Sequence, residues 1–396
     1  MDIIWLSLDR ASNKYSSTSI SLAKELAKQN RVFFINNPVT YSEVIGKYFK
    51  RSQTTYNQNF SLLDPQLVDF HVITPTPTLS INWLPFGRLY NLVLSVNNKI
   101  LFRAINEIIG RYNIKEYVFV NVFNPFYSQL QYLATKPLVS IYYSVDEISY
   151  SPYLSKHGPR LESRIADDYN LIFTTSSALK NKFSAQTKSA YCLPNAADLE
   201  IFCKNPGQIP DEIRAMDKPI VVYTGHVDWR MDINLMIEVI SRSPDLLFLF
   251  VGPVSVSQAS LTAMKSYSNV MFIGTRHLKD LPGYLYNASC AIIPYKLNEL
   301  TNSIYPLKIN EYLATGIPVV ATPFSEDIKM FADVILLANT PNEFIERIHS
   351  AIQTNTTAKV NLRIQTARLN TWPNRVQKFW EFVNNQIDST HTKDVV

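Results

Sequence analysis

Short apolar runs alternate with helix-like stretches along the chain, and this alternation limits the possible folds more than any other feature. Runs such as IIWLSL (3–8), RVFFINN (31–37) and YVFVNVF (117–123) are separated by stretches with helical spacing. The pattern restarts at IVVYTG (220–225), after the polar, proline-containing segment 204–219. Strands that alternate with helices favour parallel sheets covered on both faces. We therefore expect an α/β protein with two doubly wound domains that face one another across a cleft.

The remaining segments complete this pattern. Further strands are predicted at 68–75, 138–145, 171–176, 189–195, 246–252, 270–274, 290–295, 317–322 and 334–338. Helices are predicted at 18–29, 87–112, 158–167, 177–184, 231–242, 257–267, 281–289, 306–314, 341–354 and 365–387. We expect one domain over residues 1–205 and a second over 206–365. Residues 366–396 should form a C-terminal helix that crosses back to the first domain, with a disordered polar tail from Asp388.

Composition is typical of a folded protein of the cytosol. The 396 residues exceed one ordinary core, and 46% of them are hydrophobic. We find no run of about 18 apolar residues and no evident signal peptide. Cys192, Cys203 and Cys290 lack C-x-x-C spacing, which favours a reducing compartment. We expect a cytoplasmic protein, and a peripheral contact with the inner face of the cell membrane is left open.

The positive charge is uneven. Residues 1–200 hold 20 Lys and Arg against 15 Asp and Glu, so the net charge of +5 lies in the first half of the chain. This excess could meet anionic lipid headgroups or be ordinary surface scatter. The apolar stretch 81–96, which contains Arg88, is either a face for membrane or lipid-linked acceptor or a buried helix. Nucleic acid is not expected, because the charge is modest and no binding motif is present.

A lysine stands where a helix should begin. Pro306 and Gly316 suit the two ends of a short helix, and Ser303 could cap it. Lys308 falls in the first turn, where the helix dipole disfavours a cation unless an anion is bound. The alternative is a local pair with Glu311, three residues further along the same face. Either an anion site or a solvated ion pair is therefore predicted here.

Glycines directly follow three predicted strands of the second half. These residues are Gly225, Gly252 and Gly274. Glycine at such a position permits positive φ and close approach of a ligand to the backbone. Simple turn chemistry is the alternative. Ligands of doubly wound sheets bind beyond the carboxyl ends of the strands, which is where these glycines are predicted to lie.

The order P-L-K-x-x-E-Y-L-A-x-G, followed by P-V-V-A-T (306–322), resembles the nucleotide-sugar motif of GT-B glycosyltransferases. The similar proteins are family 1 and family 4 types that build bacterial polysaccharides such as teichuronic acid and exopolysaccharides. Segments 223–236, 250–253, 270–276 and 281–322 have the expected order, and 16–38, 142–149 and 171–202 are also similar. The resemblance implies two Rossmann-like domains. It also implies hexosyl transfer from a nucleotide diphosphate sugar to a hydroxyl of a polysaccharide or lipid-linked glycan.

The resemblance further implies roles for single residues. Glu311 would accept hydrogen bonds from the ribose hydroxyls, while Lys308 and Arg230 would meet the diphosphate. The other positions assigned to the substrate site are Asn302, Ser303, Gly225 and Arg276. No metal and no cofactor are expected, because the chain lacks the Asp-x-Asp pair of metal-dependent glycosyltransferases.

One position departs from the family pattern. Family 4 members commonly carry a glutamate eight residues before the one that matches Glu311, and here that position is Ser303. Retaining and inverting stereochemistry therefore both remain open.

The catalytic base should follow a strand of the first half. Asp146 ends the predicted strand 138–145, and a carboxylate there could deprotonate an acceptor hydroxyl. Glu147 and Asp9 are alternatives, and a simple turn cap is another. Residues 16–19 (SSTS) should cap the first helix. Two rival functions remain: a sugar-nucleotide epimerase of the same fold, and a non-catalytic nucleotide-sugar-binding subunit.

Overall fold

The computed structural model describes residues 1–11, 17–49, 60–61 and 69–394. The chain divides into two compact units. The first unit is Met1–Pro194 with Arg375–Val396, and the second is Asn195–Asn374. Parts of two predictions, Val68 in the strand 68–75 and Ser16 in the cap 16–19, lie outside the described residues.

As far as its residues are described, the first unit is built on an eight-stranded sheet. Its strands are β1 (Asp2–Ser7), β2 (Arg31–Ile35), β3 (Phe60–Ser61), β4 (Asp69–Ile73), β5 (Tyr117–Val122), β6 (Val139–Ser144), β7 (Leu171–Thr174) and β8 (Ala190–Cys192). Their order is β3-β4-β2-β1-β5-β6-β7-β8, and all pairs are parallel except β3 with β4. The central strands β1, β5 and β6 are almost fully buried, as expected for a parallel sheet covered on both faces.

In the described residues this sheet is accompanied by α1 (Thr18–Ala27), α2 (Tyr41–Phe49), α3 (Arg88–Arg111), α4 (Gly158–Asp168) and α5 (Ser177–Ser184), and by the C-terminal helix from Arg375 onward. Serine caps begin two of them, because the side chains of Ser17 and Ser176 accept from the backbone N–H groups of Ile20 and Leu179. Within the described part of the chain, no helix combines the length and the apolar character needed to span a bilayer.

The second unit holds a six-stranded, fully parallel sheet. Its strands are β9 (Ile220–Thr224), β10 (Leu247–Val251), β11 (Val270–Gly274), β12 (Cys290–Ile293), β13 (Val319–Ala321) and β14 (Leu336–Leu337), in the order β11-β10-β9-β12-β13-β14. Its helices are α6 (Leu199–Phe202), α7 (Ile233–Ser241), α8 (Gln258–Lys265), α9 (Leu281–Tyr286), α10 (Glu299–Asn302), α11 (Leu307–Thr315), α12 (Glu326–Lys329), α13 (Pro341–Gln353) and α14 (Thr357–Leu369).

The predicted fold class is confirmed: both units are α/β with parallel sheets, and the C-terminal segment is helical. One helix was predicted wrongly. The stretch 365–387 is not continuous, because α14 ends at Leu369 and α15 begins at Trp372 and runs to Asp394. Pro373 lies in the first turn of α15, where its missing N–H does no harm but where it cannot continue a preceding helix. The tail from Asp388 is helical up to Asp394 rather than disordered.

Two glycine turns meet at the carboxyl edge of the second sheet. Gly225 follows β9 with φ of 119°, and Gly252 follows β10 with φ of 153°. The N–H of Gly225 donates to the carbonyl oxygen of Val251 at 2.8 Å. A Cβ atom on Gly252 would stand 2.1 Å from the carbonyl oxygen of Gly225. The two turns can therefore pack together only if residue 252 has no side chain.

We expect Gly252→Ala to destabilise the protein by roughly 2 kcal/mol or more, because both the backbone angle and the close contact oppose a side chain. Urea unfolding measures this loss. Gly110→Ala is the matched control, since Gly110 lies in α3 and a Cβ there meets nothing within 4 Å. The control should be neutral or stabilising by about 0.5–1 kcal/mol. Equal stability of the two variants would contradict the packing described.

Candidate functional site

The helix α11 begins with a cation and without a side-chain cap. Its N-cap is Pro306, which offers no side-chain acceptor, and Gly316 ends the helix in the left-handed conformation. The prediction that Ser303 caps this helix is wrong. The Ser303 hydroxyl instead donates to the carbonyl oxygen of Leu300 at 2.6 Å, where α10 ends. Within the described residues, the backbone N–H groups at positions 307 and 308 have no acceptor.

The Lys308 ammonium lies between two tyrosine hydroxyls. It donates to Tyr295 at 2.6 Å and to Tyr223 at 3.2 Å. Its terminal carbon also lies against the turn after β9, since a Cβ on Gly225 would be 3.3 Å from it. Over the described part of the chain, no carboxylate comes within 4.0 Å of this ammonium. The predicted alternative of a local pair with Glu311 is therefore not the arrangement found.

The tyrosine pair is buried and faces two cations. Tyr223 and Tyr295 expose 0% and 1% of their surface. Lys308 Nζ lies 4.7 Å and 4.9 Å from their ring centroids, and Arg230 Cζ lies 5.8 Å from the Tyr295 ring. Burial would raise the pKa of Tyr295, but Lys308 and Arg230 together lower it below its ordinary value. At the Tyr295 hydroxyl these two cations therefore outweigh the effect of burial, whereas burial keeps the pKa of Tyr223 above its ordinary value.

Arg230 is held in place by a neighbouring acid. Its Nε donates to Asp228 Oδ1 at 2.9 Å and its Nη2 to Asp228 Oδ2 at 2.6 Å. Burial would raise the pKa of the Asp228 carboxyl, but the guanidinium more than offsets this and lowers it. No acceptor among the described residues meets Nη1 of Arg230. One edge of the guanidinium thus orients the side chain and another can still donate.

Glu311 is a buried carboxylate with no local partner. It exposes 7% of its surface and shares the face of α11 with Lys308. Within the described residues, no donor makes a hydrogen bond to its carboxylate. Burial raises its pKa to about 7, and the nearby Lys308 lowers it only in part. An acceptor in this state is costly unless a ligand supplies donors.

Arg276 is placed apart from this group. It follows the edge strand β11, and its guanidinium donates to Glu212 Oε1 at 2.5 Å, to the Tyr284 hydroxyl at 3.1 Å and to the carbonyl oxygen of Ile273 at 2.7 Å. Most of its donors are therefore already used. Asn302 ends α10 and is exposed to solvent.

In the first unit, Asp146 lies where it was predicted, just beyond β6. It is exposed, and its Oδ1 accepts from the backbone N–H of Glu147 at 3.1 Å. The alternative residue, Glu147, is engaged elsewhere, because its carboxylate binds Lys182 at 3.0 Å and accepts from Ser149. Asp146 is exposed and Glu147 is half-buried, so Asp146 is the more accessible of the two carboxylates.

Sequence reasoning missed the two tyrosines and Asp228. Both tyrosines lie at or near the end of predicted strands, Tyr223 within 220–225 and Tyr295 as the last residue of 290–295. That shared position was the available signal. Nothing local indicated that Lys308 would contact them, because the contacts span 85 and 13 residues.

Residues 218–354 match the family model described as Glycosyl transferases group 1. The second unit therefore contains a domain similar to group 1 glycosyltransferases. The predicted resemblance is thereby confirmed, and the domain covers Gly225, Arg230, Lys308 and Glu311. A relative from Bacillus subtilis (strain 168), TuaH, described as a teichuronic acid biosynthesis glycosyltransferase, is 27% identical over 218 residues. That alignment covers 49% of this chain and 55% of TuaH, so the chain spans about half the length of this relative.

Solved GT-B structures match nearly the whole chain. Sucrose-phosphate synthase from Thermosynechococcus elongatus matches with a TM-score of 0.68 and 14% identity, covering 98% of this chain and 99% of that one. HepE from Anabaena, solved in complex with UDP, matches with a TM-score of 0.67 and 14% identity, covering 97% and 100%. At such identities the similarity establishes the fold of this GT-B chain.

The buried Glu311 carboxyl generates a prediction about pH. Its pKa rises from 4.5 to about 7 on folding, so its contribution to stability is complete below about pH 4.5 and is lost as the pH rises through about 7. Relative to Glu311→Gln, the wild-type free energy of unfolding should fall by on the order of 2–3 kcal/mol between about pH 4.5 and pH 8. Urea unfolding at both pH values measures this difference.

The matched control is Glu346→Gln, which removes an exposed carboxylate from α13 of the same unit. Suppose that Glu311→Gln and the wild type lose stability in parallel over this range. The description of Glu311 as a buried carboxyl without a donor among the described residues would then be refuted.

Proposed function

We propose that this protein is a glycosyltransferase that moves a sugar from a nucleotide diphosphate sugar to a hydroxyl of a polysaccharide or lipid-linked glycan. The observation that carries the proposal is the start of α11. There, the Lys308 ammonium and the Glu311 carboxyl, which has no hydrogen-bond donor among the described residues, lie on one helix face at the carboxyl edge of a parallel sheet. The group 1 domain, the described role of TuaH and the UDP bound in HepE support the same function.

Different groups of the site would bind different parts of the donor. Glu311 would accept from the ribose hydroxyls, which supply the donors that its buried carboxylate lacks. Lys308, the free edge of Arg230 and the first N–H groups of α11 would bind the diphosphate. Gly225 lets this charge lie close to the backbone. Stabilising the leaving nucleoside diphosphate is the main electrostatic task of such a transfer, and fixed cations perform it without a metal.

Three further residues have lesser roles in this proposal. Asn302, which is exposed at the end of α10, would contact the sugar or phosphate through its side chain. Ser303 would contribute only through its backbone or its shape, because its hydroxyl is bound to Leu300. Arg276 would line the base, held in position by Glu212.

The acceptor would be activated by the first unit. Asp146 is the exposed carboxylate that follows β6, and it would take the proton of the acceptor hydroxyl as that oxygen attacks the sugar. In this proposal residues 1–205 bind the acceptor and residues 206–365 bind the donor. The reaction then needs neither a metal nor a cofactor.

Lys308→Ala should weaken binding of a nucleoside diphosphate by about tenfold or more, because a charge-assisted hydrogen bond contributes roughly 1.5–3 kcal/mol. Affinity for the corresponding nucleoside should not change. Calorimetry with a panel of nucleoside diphosphates, UDP first, measures both. Lys218→Ala is the matched control: Lys218 is exposed before the amino end of β9, where it binds Pro244, and it carries the same charge.

Equal affinity of Lys308→Ala and Lys218→Ala for the diphosphate would remove Lys308 from the site. A wild-type protein that binds no nucleoside diphosphate would overturn the proposed function as a whole.

Asp146→Asn should lower the rate of sugar transfer by roughly 10²–10⁴-fold while leaving donor affinity unchanged, as expected for loss of a general base. The rate is measured as release of nucleoside diphosphate in the presence of glycan and lipid-linked acceptors. Asp167→Asn is the control, because Asp167 is an exposed acid near the end of α4 in the same unit. Its activity should match the wild type.

The same assay distinguishes the rival functions. Conversion of the donor to its epimer without any acceptor would identify an epimerase. Tight donor binding with no transfer to any acceptor would indicate a binding subunit, and full activity of Asp146→Asn would reject Asp146 as the base.

A further inference from the structure

Large apolar side chains are exposed together before and within the first turns of α3. Trp83 exposes 71% of its surface, Leu92 62% and Leu89 59%. Leu89 and Leu92 are three residues apart and therefore lie on one helix face. Leu79 and Phe86 are also exposed. These five residues, Leu79, Trp83, Phe86, Leu89 and Leu92, are called the apolar surface below. Five large apolar side chains exposed within residues 79–92 indicate an interaction site more strongly than scattered single residues do.

The exposure of Trp83 is not a consequence of a loose loop. The neighbouring residues Ile81 and Leu84 are buried at 6% and 4%. The carbonyl oxygens of this segment are held by the turn before α4: Lys156 Nζ donates to that of Trp83 at 3.0 Å, and His157 Nε2 lies 3.1 Å from that of Leu84. The backbone is thus fixed with Ile81 and Leu84 turned inward, while the Trp83 indole lies at the surface and donates its N–H to the carbonyl oxygen of Ser80 at 3.1 Å.

The sequence segment that holds the apolar surface carries charged side chains of positive sign only. No Asp or Glu occurs between Asp69 and Glu107, whereas Arg88, Lys99 and Arg103 do occur there. Arg88 and Lys99 are exposed on α3 itself. From α4, Arg160 places its guanidinium carbon 3.4 Å from the centroid of the Phe86 ring. Exposed tryptophan and leucine beside arginine and lysine are the combination that binds the interface of an anionic bilayer.

We propose that the apolar surface docks on an anionic phospholipid bilayer. Trp83, Leu89 and Leu92 enter the headgroup region, and Arg88 and Arg160 lie at the level of the lipid phosphates. Burial of these side chains supplies the apolar part of the binding free energy, and each nearby cation strengthens the attraction to a charged leaflet. The inference goes beyond the proposed transfer reaction and does not depend on it, because it rests on the first unit alone.

The test is sedimentation of the full-length protein with vesicles. The wild type should bind vesicles of phosphatidylcholine with phosphatidylglycerol several-fold more strongly than vesicles of phosphatidylcholine alone, and high salt should weaken the binding. The double variant Trp83→Ser/Leu89→Ser should lose about tenfold or more in affinity for the anionic vesicles, because both apolar insertions are removed. The charge variant Arg88→Glu should bind more weakly and show a smaller salt dependence.

Leu369→Ser is the matched control, since Leu369 is 71% exposed but lies in the second unit. It should bind like the wild type. Urea unfolding of every variant shows whether the fold is kept, which is expected because the changed side chains are exposed. Unchanged vesicle binding by the double variant, or equal binding to neutral and anionic vesicles, would overturn the proposal. So would a wild-type dimer in size-exclusion chromatography that the double variant converts to monomer, because a second copy would then be the occupant.

Discussion

The contact on which the second unit's site depends is that between the Lys308 side chain and the turn after β9. The terminal carbon of Lys308 lies against Gly225, where a Cβ would stand 3.3 Å from it, and Gly225 holds its position only because Gly252 also lacks a Cβ. A parallel sheet brings these turns to one edge, and β9 is central in the strand order. The cation in the first turn of α11, unfavourable in an isolated helix, is thus stabilised by tertiary contacts and left available to an anion.

Two buried carboxylates show how such a site differs from ordinary structure. Glu162 in the first unit accepts from the Tyr142 hydroxyl at 2.9 Å and from Lys182 at 2.8 Å, so its charge is met inside the protein. Glu311 has no comparable partner within the described residues, although burial raises the pKa of both acids. A buried acid with a complete set of donors holds a fold together, whereas one without them is a cost that a ligand can remove.

The features that could be predicted are those that depend on residues close together in the sequence. The strand periodicity, Pro306 and Gly316 at the ends of α11, and the glycines after strands all carried their own signals. Ser303 does not cap α11 because the capping box of Asn298 and Thr301 forms α10 directly before it. Ser303 is the C-terminal cap of α10, and its hydroxyl donates to Leu300. The tyrosines around Lys308 could not be predicted, because the contact joins residues far apart in the chain and depends on strand order. Asp146 could be placed after its strand, but the ion pair between the neighbouring Glu147 and Lys182 could not be predicted, because it is again a tertiary contact.

The distribution of charge supports separate electrostatic roles for the two halves of the chain. Residues 201–396 carry equal numbers of acidic and basic side chains, 18 of each, although this half holds the proposed diphosphate site. A broad positive field would be screened beyond about 8–10 Å at physiological salt, so binding a compact diphosphate requires cations at contact distance. Lys308 and Arg230, fixed by Tyr295 and Asp228, can meet that requirement although residues 201–396 carry no net charge. A lipid surface is extended and can be met by many weakly ordered cations, and the excess of +5 accordingly lies in the half that carries the apolar surface.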